Sequence, residues 1–212
     1  APVVGAAVVL DALAEDGSRL ITAAQLLAGA TDIDGDTLSV TGLTASSGTL
    51  VDNGNGTWTF TPALNDATSV SFSYSVTDGT ASVAQTATLD LTPVNDAPTG
   101  APTTVLAATN EDAAFTVSLA DLLAGFSDVD GDTLSVSSIT TSSGTVVDNG
   151  DGSWTVTPAT NFNGPLTLTY TVSDGNGGLL AGQTLTRTVT PVNDAPVVGA
   201  AVVLDALAED GS

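Results

Sequence analysis

The chain has 212 residues and a formal net charge of −22, because 24 acidic residues face only two basic ones, Arg19 and Arg187. This charge argues against nucleic acid as a partner, since binding to phosphates depends on Lys and Arg, and it favours divalent cations. No His, Cys or Lys is present, and nucleophilic catalysis normally uses one of them as nucleophile or base. No run of about 18 apolar residues is present, so direct membrane insertion is not expected.

Short strands separated by turns are predicted along the first half of the chain. Apolar residues alternate with Ser and Thr, the pattern of strands buried on one face. Asn53-Gly54-Asn55-Gly56 marks a hairpin turn, and one helical turn is expected at residues 24–27. About seven strands indicate an all-β Greek-key sandwich. The predicted strands cover residues 3–10, 19–23, 37–44, 49–52, 57–61, 69–77 and 82–92.

The whole pattern repeats. Asp32-Ile33-Asp34-Gly35-Asp36 returns 96 positions later as Asp128-Val129-Asp130-Gly131-Asp132, and Trp58 returns as Trp154. Pro93 to Pro98 returns 98 positions later, so two extra residues are expected near the Gly-rich turn at Asn176. Residues 195–212 are identical to residues 1–18. We therefore divide the chain into a first repeat at 1–96, a second at 97–194 and the start of a third at 195–212, in an elongated arrangement.

Acidic residues recur at four places in each repeat. Three carboxylates within five residues repel one another, and Ca²⁺ relieves this repulsion because it accepts six to eight oxygen ligands at variable geometry. The alternative to calcium binding at each place is a solvated turn or a soluble linker. The Asp-Asn-Gly segments at Asp52 and Asp148 are interpreted as hairpin turns without metal. The four candidate sets are Asp32, Asp34 and Asp36 with Asp128, Asp130 and Asp132; Asn95-Asp96 with Asn193-Asp194; Glu15-Asp16 with Glu111-Asp112; and Asp78 with Asp174.

These motifs together resemble the bacterial cadherin-like repeats of tandem-95 type, which also serve as extender modules of large repeats-in-toxin adhesins. The resemblance rests on the Leu-Leu-Ala-Gly segment before each Asp loop, the Trp strand, Tyr-x-Val-x-Asp-Gly and Pro-Val-Asn-Asp-Ala-Pro. It covers nearly all of residues 1–194. It implies extracellular modules at a bacterial cell surface, secreted by a type I system.

The resemblance also implies where calcium binds, namely at junctions between modules. One further acidic ligand motif of cadherins proper has no match in this chain. The implied ligands of the complete junction are Glu15, Asn95, Asp96, Asp128, Asp130 and Asp174, with Asp16 and Asp132 as additional ligands. The incomplete sets are Asp32, Asp34, Asp36 and Asp78 at one end of the chain, and Glu111, Asp112, Asn193 and Asp194 at the other.

Two functions follow as hypotheses. The first is a calcium-stiffened spacer, a monomeric rod whose partners are neighbouring repeats of the same chain and which projects a terminal binding domain. The second is a module that itself binds a glycan, a protein or another copy, which would require an exposed aromatic or apolar patch. Trp58 and Trp154 are expected in the core, whereas Phe162 is the candidate for such a patch unless it fills the core.

Overall fold

Alternation along the strands decides which side chains are buried. In a computed structural model of the chain, which describes residues 1–196 and 198–199, Val70, Phe72, Tyr74 and Val76 are all at most 4% exposed, while the Ser residues between them face outward. Two units form in this way, one spanning Ala1–Asp96 and the other beginning at Ala97. Most of the predicted third repeat, at residues 195–212, lies outside the described residues.

The first unit is built from nine strands and one helical turn. Its elements are β1 (Pro2–Val3), β2 (Val8–Ala14), β3 (Arg19–Thr22), α1 (Ala23–Leu26), β4 (Thr31–Asp32), β5 (Ser39–Ala45), β6 (Thr49–Asp52), β7 (Thr57–Thr61), β8 (Val70–Thr77) and β9 (Ser82–Thr92).

Two sheets of the first unit pack face to face. One has the strand order β2-β9-β8-β5 and the other β3-β7-β6, while β1 and β4 form a separate pair. Strand β2 is parallel to β9, and the other pairings are antiparallel. Phe60 of the three-stranded sheet meets Phe72 of the four-stranded sheet edge to face, with ring centroids 5.1 Å apart. Burial of such apolar surface is the main contribution to the stability of the fold. The two facing sheets confirm the predicted sandwich.

The second unit repeats this architecture. Its sheets have the orders β11-β18-β17-β14 and β12-β16-β15, with β10 and β13 as a separate pair. Its elements are β10 (Thr99–Gly100), β11 (Thr109–Asn110), β12 (Phe115–Ser118), α2 (Leu119–Leu123), β13 (Phe126–Ser127), β14 (Ser135–Thr141), β15 (Thr145–Asp148), β16 (Ser153–Thr157), β17 (Gly164–Ser173) and β18 (Leu179–Thr190).

A buried tyrosine fastens the helical turn of each unit. The hydroxyl of Tyr74 donates to the carbonyl oxygen of Leu26 over 2.7 Å, and that of Tyr170 donates to Leu122 over 2.8 Å. Buried Tyr hydroxyls generally find such partners. The turn itself begins at a capping box in both units, in which a hydroxyl side chain and the residue three positions later bond to each other's backbone.

Two expectations about the strands differ from the structure. The first strand, predicted at residues 3–10, is divided into β1 and β2, because β1 pairs with β4 whereas β2 pairs with β9. The two extra residues of the second repeat do not both lie in the turn. One lies in the turn, and the other forms a bulge in β18, where two residues stand opposite Thr171 and Gly182 adopts a φ of +72°.

The aromatic residues belong to the cores. Trp58 and Trp154 are each 8% exposed and are part of the two hydrophobic clusters, as predicted. Phe162 is half-buried and packs against the core of the second unit. Within the described residues, no helix has the length and apolar character that crossing a membrane requires.

Candidate metal centre

The Asp-x-Asp-Gly-Asp loop follows the short strand that ends at Asp32 in the first unit. The carboxylate of Asp32 accepts a hydrogen bond from the backbone N–H of Asp34 over 2.8 Å, and Gly35 takes a φ of +81°, which bends the loop. This local bonding turns the carboxylates of the loop toward one another, so that Asp32, Asp34 and Asp36 form one acidic group.

The second unit builds the same loop. Oδ1 of Asp128 accepts from the backbone N–H of Asp130 at 2.9 Å and of Asp132 at 3.3 Å. Gly131 has a φ of +80°, matching its counterpart in the first unit. The loop conformation is therefore specified by the repeated sequence itself.

A later aspartate joins the loop from the end of β8 in the first unit. Asp78 lies in the turn between β8 and β9, and its Oδ1 accepts from the backbone N–H groups of Thr80 and Ala81, each at 2.7 Å. These hydrogen bonds hold the pKa of Asp78 below its usual 3.8, and the bond from Ala81 has the larger effect. The group is therefore charged at neutral pH.

The corresponding Asp174 of the second unit is 4% exposed. Its Oδ1 accepts from the backbone N–H groups of Asn176, Gly177 and Gly178 at 2.8, 3.1 and 3.0 Å. A cage of N–H donors offsets the desolvation of a buried carboxylate.

A positive charge already lies against the cluster of the first unit. The amino group of Ala1 is 3.2 Å from Oδ2 of Asp32, 3.5 Å from Oδ2 of Asp78 and 4.0 Å from Oδ2 of Asp34. The pKa of Asp32 is held below 3.8, chiefly by the N–H of Asp34 and then, against some desolvation, by this amino group.

The cluster of the second unit combines the two loops. Carboxylate oxygens of Asp128, Asp132 and Asp174 all lie within 4.8 Å of one another. Oδ2 of Asp128 is buried and has no hydrogen-bond partner among the described residues, an arrangement that is costly unless something compensates it. Three converging hard oxygen ligands, one of them buried and without a donor, fit Ca²⁺.

The Glu residues lie at the other end of each unit. Glu15 is 4% exposed, and its Oε1 accepts from the backbone N–H of Val94 over 2.7 Å. Glu111 is 6% exposed and binds the N–H of Val192 in the same way over 2.6 Å. Each Glu therefore holds the backbone immediately before the Asn-Asp pair of its own unit.

The predicted ligands of one unit divide between its two ends. Asp78 precedes β9, whereas Val94 follows it, and a strand of 11 residues separates its ends by about 35 Å. Within the first unit, the Asp32 and Asp78 set and the Glu15 set therefore cannot hold the same ion. The exposed acidic neighbours Asp16 and Asp112 lie beside their Glu, and Asp112 accepts from the N–H of Asn161 at 3.0 Å.

Asn176 is a site residue that the sequence analysis did not identify. Its side-chain Nδ2 donates to Oδ2 of Asp132 over 2.8 Å. An Asn in a Gly-rich turn is usually explained by turn conformation, so the residue type alone does not indicate a role for Asn176 at the site. The one indication was the longer turn, which has no counterpart in the first repeat.

Comparisons with known families and solved structures find cadherin-like domains. A family model described as a cadherin-like domain matches residues 1–92 and again residues 94–190. The structure of human protocadherin-24 EC1-2 aligns with a TM-score of 0.53 at 13% identity, covering 89% of this chain and 95% of that one. Drosophila N-cadherin EC1-4 aligns at 18% identity with a TM-score of 0.49, over 77% of this chain and 43% of that one.

An enzyme also contains a similar region. An endo-fucoidan hydrolase of glycoside hydrolase family 107 aligns at 24% identity with a TM-score of 0.36, covering 91% of this chain. The chain spans only 29% of the length of that enzyme. No curated protein matches the chain. Since the family model covers both units, the chain belongs to the cadherin-like domain family and contains two copies of the domain.

Proposed function

We propose that the chain is a pair of calcium-binding spacer modules from a bacterial cell-surface adhesin. Cadherin-like domains are extracellular and suggest a role in adhesion. The observation that carries the proposal is the convergence of Asp128, Asp132 and Asp174 within 4.8 Å, together with the buried Oδ2 of Asp128. Calcium bound there would offset two of the three negative charges and supply the missing partner of that oxygen.

The extracellular concentration of calcium suits this role. Extracellular modules typically bind Ca²⁺ with a Kd of about 10⁻⁴ to 10⁻³ M. A binding cation stabilises the folded state by an amount that depends on the ratio of its concentration to Kd, about 2.7 kcal/mol at a hundredfold excess over Kd. Melting of the chain in 10 mM CaCl₂ and in chelator tests this directly, with 10 mM MgCl₂ as the control for ionic strength and charge.

The same proposal assigns no catalysis to the chain. It contains neither His nor Cys nor Lys. Of its two Arg residues, Arg187 stacks over the ring of Phe115 at 4.0 Å, and Arg19 pairs with Asp11 at 3.2 Å. The acidic clusters of the described residues lie in turns at strand ends rather than as a pair across a cleft, which glycoside hydrolysis requires. The hydrolase with a similar region carries its activity in a much longer chain.

The spacer role is favoured over direct ligand binding by the position of the aromatic residues. All nine of them lie within residues 1–196, and none is exposed. A surface that recognises a glycan usually offers an aromatic platform. Specific, saturable binding on a glycan array, or a concentration-dependent increase in mass, would favour the adhesive alternative instead.

The spacer proposal further holds that calcium stiffens the array of repeats, as the resemblance to cadherin-like repeats implies. Small-angle scattering of the full chain tests this part separately. We expect a single extended form in calcium and a broader range of dimensions in chelator. Scattering profiles that are the same under both conditions, in samples that calorimetry shows to bind calcium, would contradict stiffening but leave calcium binding intact.

A further inference from the structure

Asn176 connects the two loops that form the cluster of the second unit. Its side-chain amide donates to Oδ2 of Asp132 over 2.8 Å, while its backbone N–H donates to Oδ1 of Asp174 at the same distance. One residue therefore touches two of the three carboxylates, and these come from loops 42 positions apart in the sequence. The amide is neutral, so it adds no charge to the cluster.

The first unit lacks this connection. Thr80 occupies the place of Asn176, since its N–H donates to Asp78 as that of Asn176 donates to Asp174. The turn of the first unit is also one residue shorter, with Ala81 bonding where the second unit uses Gly177 and Gly178.

The two clusters also differ in which carboxylates they contain. In the second unit, Asp132 is half-buried and groups with Asp128 and Asp174 across the two loops. In the first unit, the corresponding Asp36 is exposed and groups only with residues of its own loop. The half-buried position of Asp132 thus accompanies the hydrogen bond from Asn176.

We propose that Asn176 is a positioning residue that holds Asp132 beside Asp174 and thereby lowers the Kd of this cluster for calcium. Carboxylates at this separation repel each other, and without a donor the exposed loop would move Asp132 away. The hydrogen bond keeps the oxygens assembled before the ion arrives, which lowers the cost of ordering them. This inference rests on the proposed calcium binding.

The Asn176→Ala variant isolates the side chain, because the backbone N–H that caps Asp174 remains. The matched control is Asn149→Ala, which removes another exposed Asn of the same unit whose amide donates to Ser153 at 2.8 Å, in the β15–β16 hairpin turn. Both variants are made in the full chain. Calcium is titrated while the backbone amide signals of Gly35 and Gly131 are followed by NMR, since each glycine lies in the Asp loop of one unit.

In the unaltered chain, we expect Gly131 to respond to calcium, and its titration gives the reference Kd. Asn176→Ala should raise the Kd at Gly131 about ten- to a hundredfold, the effect of losing one hydrogen bond to a charged group, and should leave the Kd at Gly35 unchanged. Asn149→Ala should change neither value. In chelator, Asn176→Ala should also shift the Gly131 and Asp132 amides, which reports the positioning without any metal.

Three other outcomes of the titration would each lead to a different conclusion. If no glycine responds to calcium in the unaltered chain, the proposed function fails and this inference fails with it. If calcium binds but the Kd at Gly131 is the same in Asn176→Ala, calcium binding stands and the role of Asn176 is wrong. If Asn176→Ala lowers the melting temperature equally with and without calcium while Kd is unchanged, Asn176 is only a turn residue.

Discussion

The buried carboxylate of Glu15 accepts a hydrogen bond from the backbone N–H of Val94 over 2.7 Å. It thereby ties the segment after β2 to the segment after β9. The backbone N–H of Glu15 adds a second link by donating to the carbonyl of Thr92 at 3.1 Å. An acidic residue predicted only as a calcium ligand therefore also has a structural role.

We expect Glu15→Ala to destabilise the first unit even in chelator. A hydrogen bond to a charged acceptor contributes about 1–3 kcal/mol, and the substitution removes it. Thermal unfolding in chelator measures the loss, and Glu111→Ala should reproduce it in the second unit. Asp16→Ala is the control, because Asp16 is exposed and surface substitutions usually change stability by less than about 0.5 kcal/mol. Equal melting of Glu15→Ala and Asp16→Ala would refute the structural role.

The tyrosine hydroxyls predict a sensitivity to alkaline pH. Burial raises the pKa of Tyr74 and of Tyr170 above 10.0, so the folded state holds these protons more tightly than the unfolded state. Their contribution is complete below pH 10 and is lost as pH rises through the folded-state pKa. The double variant Tyr74→Phe and Tyr170→Phe should lose about 1 kcal/mol per site at pH 7. Its denaturant midpoint should then fall less steeply above pH 10 than that of the unaltered chain.

The two capping boxes predict a difference between the units in acid. Hydrogen bonds from the hydroxyl and then the backbone N–H of Ser118 hold the pKa of Asp121 below 3.8. This contribution to stability is present above pH 3.8 and is lost as pH falls through the folded-state pKa. The first unit uses Gln25 at the equivalent place, which does not titrate.

Asp121→Gln should therefore preserve the cap and remove its dependence on pH. We expect the stability of the unaltered chain to fall relative to that of this variant between pH 4 and pH 2, as measured by urea unfolding. Ser118→Ala, which removes the N-cap itself, should cost about 1 kcal/mol at pH 7. A constant difference between Asp121→Gln and the unaltered chain across this pH range would contradict the account.

Gly178 lies against the carboxylate of Asp174, and only a residue without a Cβ fits there. A Cβ at this position would overlap Oδ2 of Asp174 and lie 2.7 Å from the Cα of Ala97. Gly178→Ala should therefore displace Asp174, destabilise the unit by about 1–3 kcal/mol and weaken calcium binding, as measured by calorimetry in parallel with melting. Gly5→Ala is the control, since its Cβ would meet only the carbonyl oxygen of Gly29 at 3.5 Å. Calcium binding that is equal in Gly178→Ala and Gly5→Ala would show that Asp174 is not a ligand.

Much of the fold follows from the sequence because local patterns specify it. The hairpin of β6 and β7 and the long strand β9 have the predicted bounds, since Gly and Asn fix the turn and apolar residues alternate on both sides. The first strand was predicted wrongly as one piece. Its apolar run is continuous, and only the pairing partners β4 and β9, which are distant in sequence, divide it.

The candidate site was predictable only in part. Repetition of Asp32 and Asp78 in register with Asp128 and Asp174 identified the acidic sets, and the structure brings both pairs together within their own units. Asn176 could not be found in this way, because its contact with Asp132 depends on how far one longer turn reaches across space. The further role of Glu15 as a hydrogen-bond acceptor was equally hidden, since burial is a property of the folded chain.

The most direct test of the central claim is calorimetric titration of the full chain with CaCl₂, compared with a variant in which Asp128, Asp132 and Asp174 are all replaced by Asn. Asn keeps the shape of each side chain but removes the charges that bind the ion. We predict binding with a Kd of about 10⁻³ M or lower in the unaltered chain, and the loss of at least one site in the variant. Identical isotherms for the two proteins, with the variant still folded by circular dichroism, would contradict it.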